Sequence, residues 1–376
     1  MTFHRDQVSV SVQGNVQSSV SSRIHQAFAS GLVQRGSGLL LLLAIFTGCS
    51  HVGATAVTAP HPPASSSATL LFKSNFGPGV KLDDTPYGFS TSSGGGGGAW
   101  QKITGTDSET GFTWPVRALG SIFSGVQLIT VDPVTPSTIN DHITVEIRQV
   151  RGSKGTPVYE LFQNVKKKAP MGAVPVGKGA AQAPFIIQRP WTIGDVTDLY
   201  VTYWFKHQVN LAATLDPTVS SGNWRVQFEF KTGGATNPST GLPYYGGDYR
   251  IATNVMKYSD GSLYWNTKGD NVANGPWPRV DYWSVANHTV PVPIDTWFKY
   301  ELFWHRSSGS DGWFWSAVNG QVIVDHHGPN MGKENLPITR IMIDNTYSGG
   351  HPEVQSQITG LEIWDGFPCG VGVTCF

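Results

Sequence analysis

Residues 295–327 read DTWFKYELFWHRSSGSDGWFWSAVNGQVIVDHH, a stretch dense in Trp and Phe around a short Ser/Gly turn. A strand sends successive side chains to opposite faces, so counting alternate positions separates core from surface. One set is Phe298, Tyr300, Leu302 and Trp304; the other is Trp297, Lys299, Glu301, Phe303 and His305. The first set is apolar and is expected to face a core. Beyond the turn SSGSDG, a second run from Trp313 to Val318 leads through Asn319-Gly320 into Gln321-Val322-Ile323-Val324. Asn-Gly between two such runs is a strong hairpin signal, because both residues tolerate positive φ. The stretch is therefore expected to form a β-meander whose aromatic residues are mostly structural. Binding or catalytic chemistry is then to be sought on the polar faces beside it.

Working outward, short alternating runs separated by turn residues occupy 142–150, 198–209, 223–231, 249–256, 262–266, 338–345 and 358–367, and the folded region opens near Leu70-Leu71-Phe72. No stretch has a helical period and no internal repeat is visible, which argues against a propeller or solenoid. Short strands in a chain with 44 Gly and 24 Pro predict an all-β sandwich or jelly roll of two antiparallel sheets. Gly94 to Gly98 is expected to be a surface loop: a phosphate cradle needs a strand before it, a helix after it and a Lys-Ser/Thr pair. Residues 166–185, KKKAPMGAVPVGKGAAQAPF, read as a long loop that either walls a groove or is plain surface irregularity.

The first 49 residues read as a leader outside the fold. Arg35 precedes Leu39 to Phe46 and then Thr47-Gly48-Cys49, an apolar run too short for a comfortable membrane span. It resembles a bacterial lipoprotein signal, which implies lipidation of Cys49 and a membrane anchor; the alternative is an ordinary secretory signal cut nearby. The polar stretch before Arg35 is long for either, which would fit a start further downstream. Both readings put the chain outside the cytoplasm, at a periplasmic or cell surface or secreted. Residues 50–68, rich in Ala, Pro and Ser, form an expected linker to a domain spanning 69–368. In the tail 369–376, Cys369 and Cys375 are either a small disulfide loop, as export permits, or two free thiols. Lys+Arg (26) balances Asp+Glu (26) and charged residues make up 14%. No global field for nucleic acid results, and a monomer is expected.

Trp297, Tyr300, Leu302 and Trp304, followed by a turn and by Val318-Asn319-Gly320, resemble the aromatic strand and hairpin of the concanavalin A-like lectin/glucanase jelly roll. Strands LLFKSNF and ITGLEIWDGF match the way such domains bring both chain ends into one sheet. The resemblance covers roughly residues 70–368, and it is more specific for fold than for activity, since this fold hosts lectins, glycosidases and lyases. The glucanase motif E-x-D-x-x-E, which sets two carboxylates on one face for double displacement, is absent; Glu229 and Glu146 each stand alone on their faces. The jelly-roll polysaccharide lyases, such as alginate and glucuronan lyases, are matched only in part. Glu146-Ile147-Arg148 and Arg225-x-Gln227-x-Glu229 are loose variants of their R-x-E-x-R strand, and their Q-[IV]-H and Y-F-K-x-G-x-Y motifs are absent. What the resemblance implies is an exported protein that binds uronate-containing polysaccharide and cleaves it by β-elimination, or else a non-catalytic carbohydrate-binding or structural module.

The strand NWRVQFEFK is expected to place Trp224, Val226, Phe228 and Phe230 in the core, with Arg225, Gln227, Glu229 and Lys231 on a groove or on solvent. In β-elimination the proton α to the uronate carboxylate becomes removable once that charge is neutralised and a base is poised. Arg225 and Gln227 are the candidate neutralisers, and His207 or Tyr249 the candidate bases. Glu146, Arg148, Glu229, Lys231, Arg250, Asn266, Lys299 and Tyr347 are candidate sugar contacts; the alternative for these charges is a solvated face with cross-strand ion pairs. Asp344, Asn345 and Tyr347 read as a polar turn that edges a groove or offers oxygen ligands to calcium. Asn266, Lys268, Asp270 and Asn271 read in the same way. Trp277, Tyr282 and Trp283 read as a loop able to stack on sugar or to anchor itself. His326 and His327 point to opposite faces and are not a metal pair. No cofactor is expected, and the Gly-x-Ser-x-Gly and H-E-x-x-H motifs are missing.

Overall fold

The computed structural model describes residues 62, 68–83, 87–91, 96–133, 135, 137–151, 157–166, 181–190, 195–218, 223–233, 248–271, 280–347 and 353–368. All of these belong to one compact unit, Thr58–Phe376. Cys49, Cys369, Cys375, Trp277 and nearly all of the leader and linker fall outside the described residues. Among the described residues no helix is long and apolar enough to cross a membrane.

The described strands run in chain order as β1 Leu70–Ser74, β2 Lys81–Leu82, β3 Tyr87–Thr91, β4 Gly96–Thr106, β5 Thr113–Trp114, β6 Phe123–Pro133, β7 Ile143–Arg151, β8 Pro157–Val165, β9 Gln182–Gln188, β10 Asp198–His207, β11 Trp224–Thr232, β12 Arg250–Lys257, β13 Leu263–Asp270, β14 Asp281–Asn287, β15 Phe298–His305, β16 Trp313–Val318, β17 Gln321–His327, β18 Ile338–Tyr347 and β19 Val354–Trp364. They form two antiparallel sheets. One has eight strands in the order β17-β16-β15-β10-β19-β8-β7, with β1 also on β19; the other has eleven, β14-β13-β12-β11-β18-β9-β6-β4-β2, with β3 and β5 also on β4. This is a jelly-roll sandwich, and the first and last described strands share the eight-stranded sheet, where Phe72 pairs with Ile363.

The meander forms as its alternation dictates. Phe298, Tyr300, Leu302 and Trp304 are fully buried, and Asn319 and Gly320 turn the β16–β17 hairpin with φ of 50° and 77°. Their opposite-face neighbours are less simple. Phe303 joins Tyr200, Trp315, Ala317 and Phe367 in a second apolar cluster, with the Phe367 ring edge-on to Tyr200, Phe303 and Trp315 at 5.0–5.9 Å. The end of the described chain thus covers part of the outer face of the eight-stranded sheet.

Some segments read as loops are strands. Gly96, Gly97 and Gly98 pair with Pro133, Thr130 and Ile129, so part of the glycine run lies in β4. Gln182 to Phe185 belong to β9, and Tyr282 and Trp283 to β14. Trp283 is not free for sugar: its indole stacks on His326 at 4.0 Å and donates to the Tyr249 hydroxyl.

Asp344, expected in a turn, sits within β18, and its side chain points between the sheets. Its Oδ2 accepts from Gln163 Nε2 at 3.1 Å, Thr346 Oγ1 at 3.0 Å and Ser356 Oγ at 2.8 Å, joining β18 to β8 and β19. Calcium ligation through a turn carboxylate is therefore corrected: this carboxyl is an interior tie. Among the described residues no group of three or more His, Cys, Asp or Glu side chains gathers to hold a metal ion. Burial pushes the Asp344 pKa up to about 7, against the lowering effect of its hydrogen bonds. A carboxyl raised in the folded state binds a proton that the unfolded chain has released, so its contribution is present below its unfolded value of ~3.9 and is lost as pH rises towards 7. Asp344→Asn is expected to raise the denaturation midpoint at pH 8 and to flatten the stability profile between about pH 4 and 7; urea titrations across that range measure it.

Candidate functional site

The alternation of β11 breaks at Gln227. Val226 pairs with Asn254 of β12, yet Phe228 pairs with Thr253, so one extra residue is accommodated in β11. This is a β-bulge, and it reverses which residues face which side. On the interior side of β11 lie Arg225, Phe228 and Phe230, opposite Val255, Thr253 and Ile251; on the outer side lie Trp224, Val226, Glu229 and Lys231, opposite Met256, Asn254, Ala252 and Arg250. The bulge is held from across the sandwich. Tyr203 of β10 donates its hydroxyl hydrogen to the Gln227 carbonyl at 2.7 Å, and Gln227 Nε2 donates back to that hydroxyl at 3.2 Å.

The expected catalytic set is consequently corrected, because all four residues are interior. Arg225 and Gln227 are 3% and 1% exposed. The Arg225 guanidinium donates to the Thr214 and Trp224 carbonyls. His207 lies among Phe205, Phe298 and Trp265; burial, then the charge of Arg225, lowers its pKa to about 3. The ring is neutral at physiological pH and borders a separate cavity of about 390 Å³ with Lys206 and Glu353. Tyr249 is fully buried, and burial drives its phenol above the ordinary range.

What the eleven-stranded sheet presents outward is a groove of about 500 Å³, built as successive cross-strand rungs. At one end Lys231, Arg250 and Asp270 stand side by side, flanked on β18 by Arg340. The next rung is Glu229, Ala252, Lys268 and Ser284. Then come Asn345, Val226, Asn254, Asn266 and Ala286. Trp224, Met256 and Tyr264 follow. The polarity changes in order: charge, amide, aromatic ring.

The charged end is a connected network. Arg250 grips Asp270 bidentately, Nε to Oδ1 and Nη2 to Oδ2 at 2.6 Å each, and its Nη1 reaches Glu229 at 3.3 Å. Lys231 lies 3.2 Å from Glu229. Lys268 lies 2.6 Å from Asp270 and 3.7 Å from the exposed Asp281. Burial alone would raise the Asp270 carboxyl, but hydrogen bonding and charge from Arg250, then Lys268, hold it below its usual value. Lys231 goes the other way: burial lowers its ammonium pKa, Glu229 opposes this only in part, and Arg340 and Arg250 add to the lowering.

Of the expected sugar contacts, Glu229, Lys231, Arg250 and Asn266 come together here. Tyr347 ends β18, paired with Gln182. Glu146, Arg148 and Lys299 lie on the outer face of the other sheet, as their solvated alternative describes. Arg148 pairs with Glu160 at 2.6 Å and covers the Phe162 ring, and Lys299 pairs with Glu301 at 2.8 Å. Asn254 is a residue that the sequence reading misses, Asn345 is expected only in a polar turn, and Trp224 and Val226 are expected in the core. The signal for the first was present in YRIATNVM, whose alternate positions Arg250, Ala252, Asn254 and Met256 form the groove side.

No protein-family model and no curated protein matches the chain. Solved structures similar to it include alginate lyase Aly36B, 14% identical over 58% of this chain and 86% of that one with a TM-score of 0.37. An endo-β-1,4-glucuronan lyase from the fungus Trichoderma reesei is 11% identical over 59% and 86%, with a TM-score of 0.41. The carbohydrate recognition domain of Emp47p is 10% identical over 60% and 89%, with a TM-score of 0.34. Likenesses this loose carry no chemistry across, which rests on the groove itself.

Tyr203→Phe leaves the Gln227 carbonyl and amide without their partner inside the sandwich. It is expected to lower stability by about 1–3 kcal/mol in urea denaturation and to speed hydrogen exchange at the β11 amides; unchanged exchange there would show that the bulge is held by other contacts.

Proposed function

We propose that the groove of the eleven-stranded sheet binds an acidic polysaccharide. The observation that carries this reading is the adjacency of the charged rungs to the amide rung. Lys231, Arg250, Lys268 and Arg340 can meet the carboxylate of a uronate residue, while Asn254 and Asn266 offer the paired donors and acceptors that sugar hydroxyls require. Glu229 and Asp270 fix the cationic heads in place, so little side-chain freedom is lost on binding. The proposed setting is extracytoplasmic, from the leader at residues 1–49, with lipid anchoring through Cys49 as the proposed attachment.

Cleavage by β-elimination is the proposed chemistry, and the observation that favours it is the placement of Lys231, largely buried and side by side with Arg250 and Arg340, which lowers its ammonium pKa. A neutral Lys231 Nζ takes the proton on C5, the electron pair left behind forms the C4–C5 double bond, and the bond from C4 to the bridging oxygen breaks. That oxygen departs with a proton, which the newly formed Lys231 ammonium can return. Arg250 and Arg340 neutralise the uronate carboxylate as negative charge develops. Lys231 replaces His207 and Tyr249 in the role of base, since both of those are interior.

Full-length protein is expected to be retained on acidic but not neutral polysaccharides, with retention falling as salt rises. Lys268→Ala should weaken binding about tenfold and Lys299→Ala should leave it unchanged. Ultraviolet absorbance of unsaturated uronate should grow with wild-type protein, faster as pH rises through the lowered Lys231 pKa, and vanish in Lys231→Ala. Retention without any absorbance change would reduce the reading to a binding module; loss of neither property in these variants would move the site elsewhere.

A further inference from the structure

The groove face continues beyond its amide rung. β12 and β13 meet in a tight turn at residues 258–262, closed by Tyr258 N–H to Ser262 O and Gly261 N–H to Tyr258 O, with Gly261 at φ 91°. Following the groove side of β12 past Asn254 and Met256 leads to Tyr258. On β13 the residue beyond Asn266 is Tyr264, and on β14 the residue beyond Ala286 is His288. These three rings meet. Tyr258 and Tyr264 stack with centroids 4.2 Å apart and planes 20° from parallel. His288 lies 5.2 Å from the first and 4.7 Å from the second, with a ring nitrogen 3.0 Å from the Tyr258 hydroxyl. Tyr258 is nonetheless 41% exposed.

A ring cluster of this kind has a mostly apolar body in water and rigid geometry, because each ring fixes its neighbours. Aromatic side chains left in this state suit a flat, partly apolar ligand face, as a pyranose ring presents. The cluster also lies in line with the charged end. From Arg250 to Met256 is six residues along one strand, about 20 Å at ~3.3 Å per residue, with the amide rung between. We propose that Tyr258, Tyr264 and His288 form a stacking shelf for one sugar residue of a polysaccharide chain whose uronate carboxylate sits at Lys231, Arg250 and Lys268. The shelf makes the site a reader of chain length: a short oligomer fills the charged and amide rungs, and only a longer one reaches the rings. This inference rests on the groove being the polysaccharide site.

The test is calorimetric titration of full-length protein with oligouronates of increasing length. Wild-type affinity is expected to rise with length, and the final gain, about fivefold to tenfold, should disappear in Tyr258→Ala with Tyr264→Ala while the shortest binding oligomer is unaffected. Tyr264→Phe, which keeps the ring, should retain the gain. Tyr258→Ala alone, at the exposed turn, gives the same reading should the double variant lose its fold. If wild-type protein binds short and long oligomers equally, or a folded Tyr258→Ala variant keeps the full gain, the shelf is overturned and the groove reading stands. If wild-type protein binds no acidic oligomer of any length, the groove reading itself fails.

Discussion

The hydrogen bond from Tyr203 to the carbonyl of Gln227 sets the chemical character of the outer face. A strand has period two, so a single extra residue exchanges its two faces from that point on. Without the bulge, Trp224 and Val226 would share a face with Phe228 and Phe230, and Arg225 would stand beside Glu229. With it, Arg225 turns into the sandwich to meet the Thr214 carbonyl, while Glu229 and Lys231 emerge beside Arg250. The exchange works only because a partner from the other sheet is present. An unpaired interior carbonyl at the bulge would carry its own desolvation cost; the phenol of β10 removes that cost and ties the two sheets at the same point.

The charges that emerge are then limited by their neighbours. A buried carboxylate such as Asp270 is tolerable only when its oxygens are taken up, and Arg250 and Lys268 do so. Lys231 is less supported than Arg250 or Lys268, since it shares one oxygen of Glu229 with Arg250 while most of its side chain is removed from solvent. Two opposite shifts follow within one network: Arg250 is held more firmly charged and Lys231 is brought closer to neutrality. Divergent pKa values in adjoining groups are what proton-transfer chemistry requires; here burial acts against the charge of both groups, and the carboxylates of Glu229 and Asp270 outweigh it for Arg250, while Glu229 alone does not for Lys231.

Much of the fold was legible. The alternation in Phe298 to Trp304 and the Asn319-Gly320 turn located the meander, and the strands at 142–150, 198–209 and 249–256 formed within one to two residues of their expected limits. The candidate site was legible on β12 and β13, where no bulge intervenes: Arg250 and Asn266 keep the face their spacing gives them. It was not legible on β11, because the bulge is stabilised by a residue more than twenty positions away and leaves no local mark in WRVQFEFK. Asp344 misled for a related reason. A carboxyl followed by Asn and Thr resembles turn chemistry, and its three hydrogen-bond partners, Gln163, Thr346 and Ser356, come largely from another sheet. The glycine run misled through composition alone, since Gly96 to Gly98 have no side chain to bar them from a strand when a partner supplies the ladder.

The two outer faces of the sandwich differ in a way that supports the eleven-stranded one as the working surface. On the eight-stranded sheet, Phe367 closes over Tyr200, Phe303 and Trp315, and the neighbouring charges are paired one to one, Arg148 with Glu160 and Lys299 with Glu301. That face satisfies itself. On the eleven-stranded sheet the cations share their carboxylates, the amides of Asn254 and Asn345 stand next to an apolar Val226, and the rings of Tyr258, Tyr264 and His288 remain at the solvent boundary. Each rung taken alone would be an ordinary surface feature. Their succession along one face, from charge through amide to ring, lets the proposed extended glycan be met by a different one of its groups at each rung, since every uronate residue carries a carboxylate, hydroxyls and a ring face.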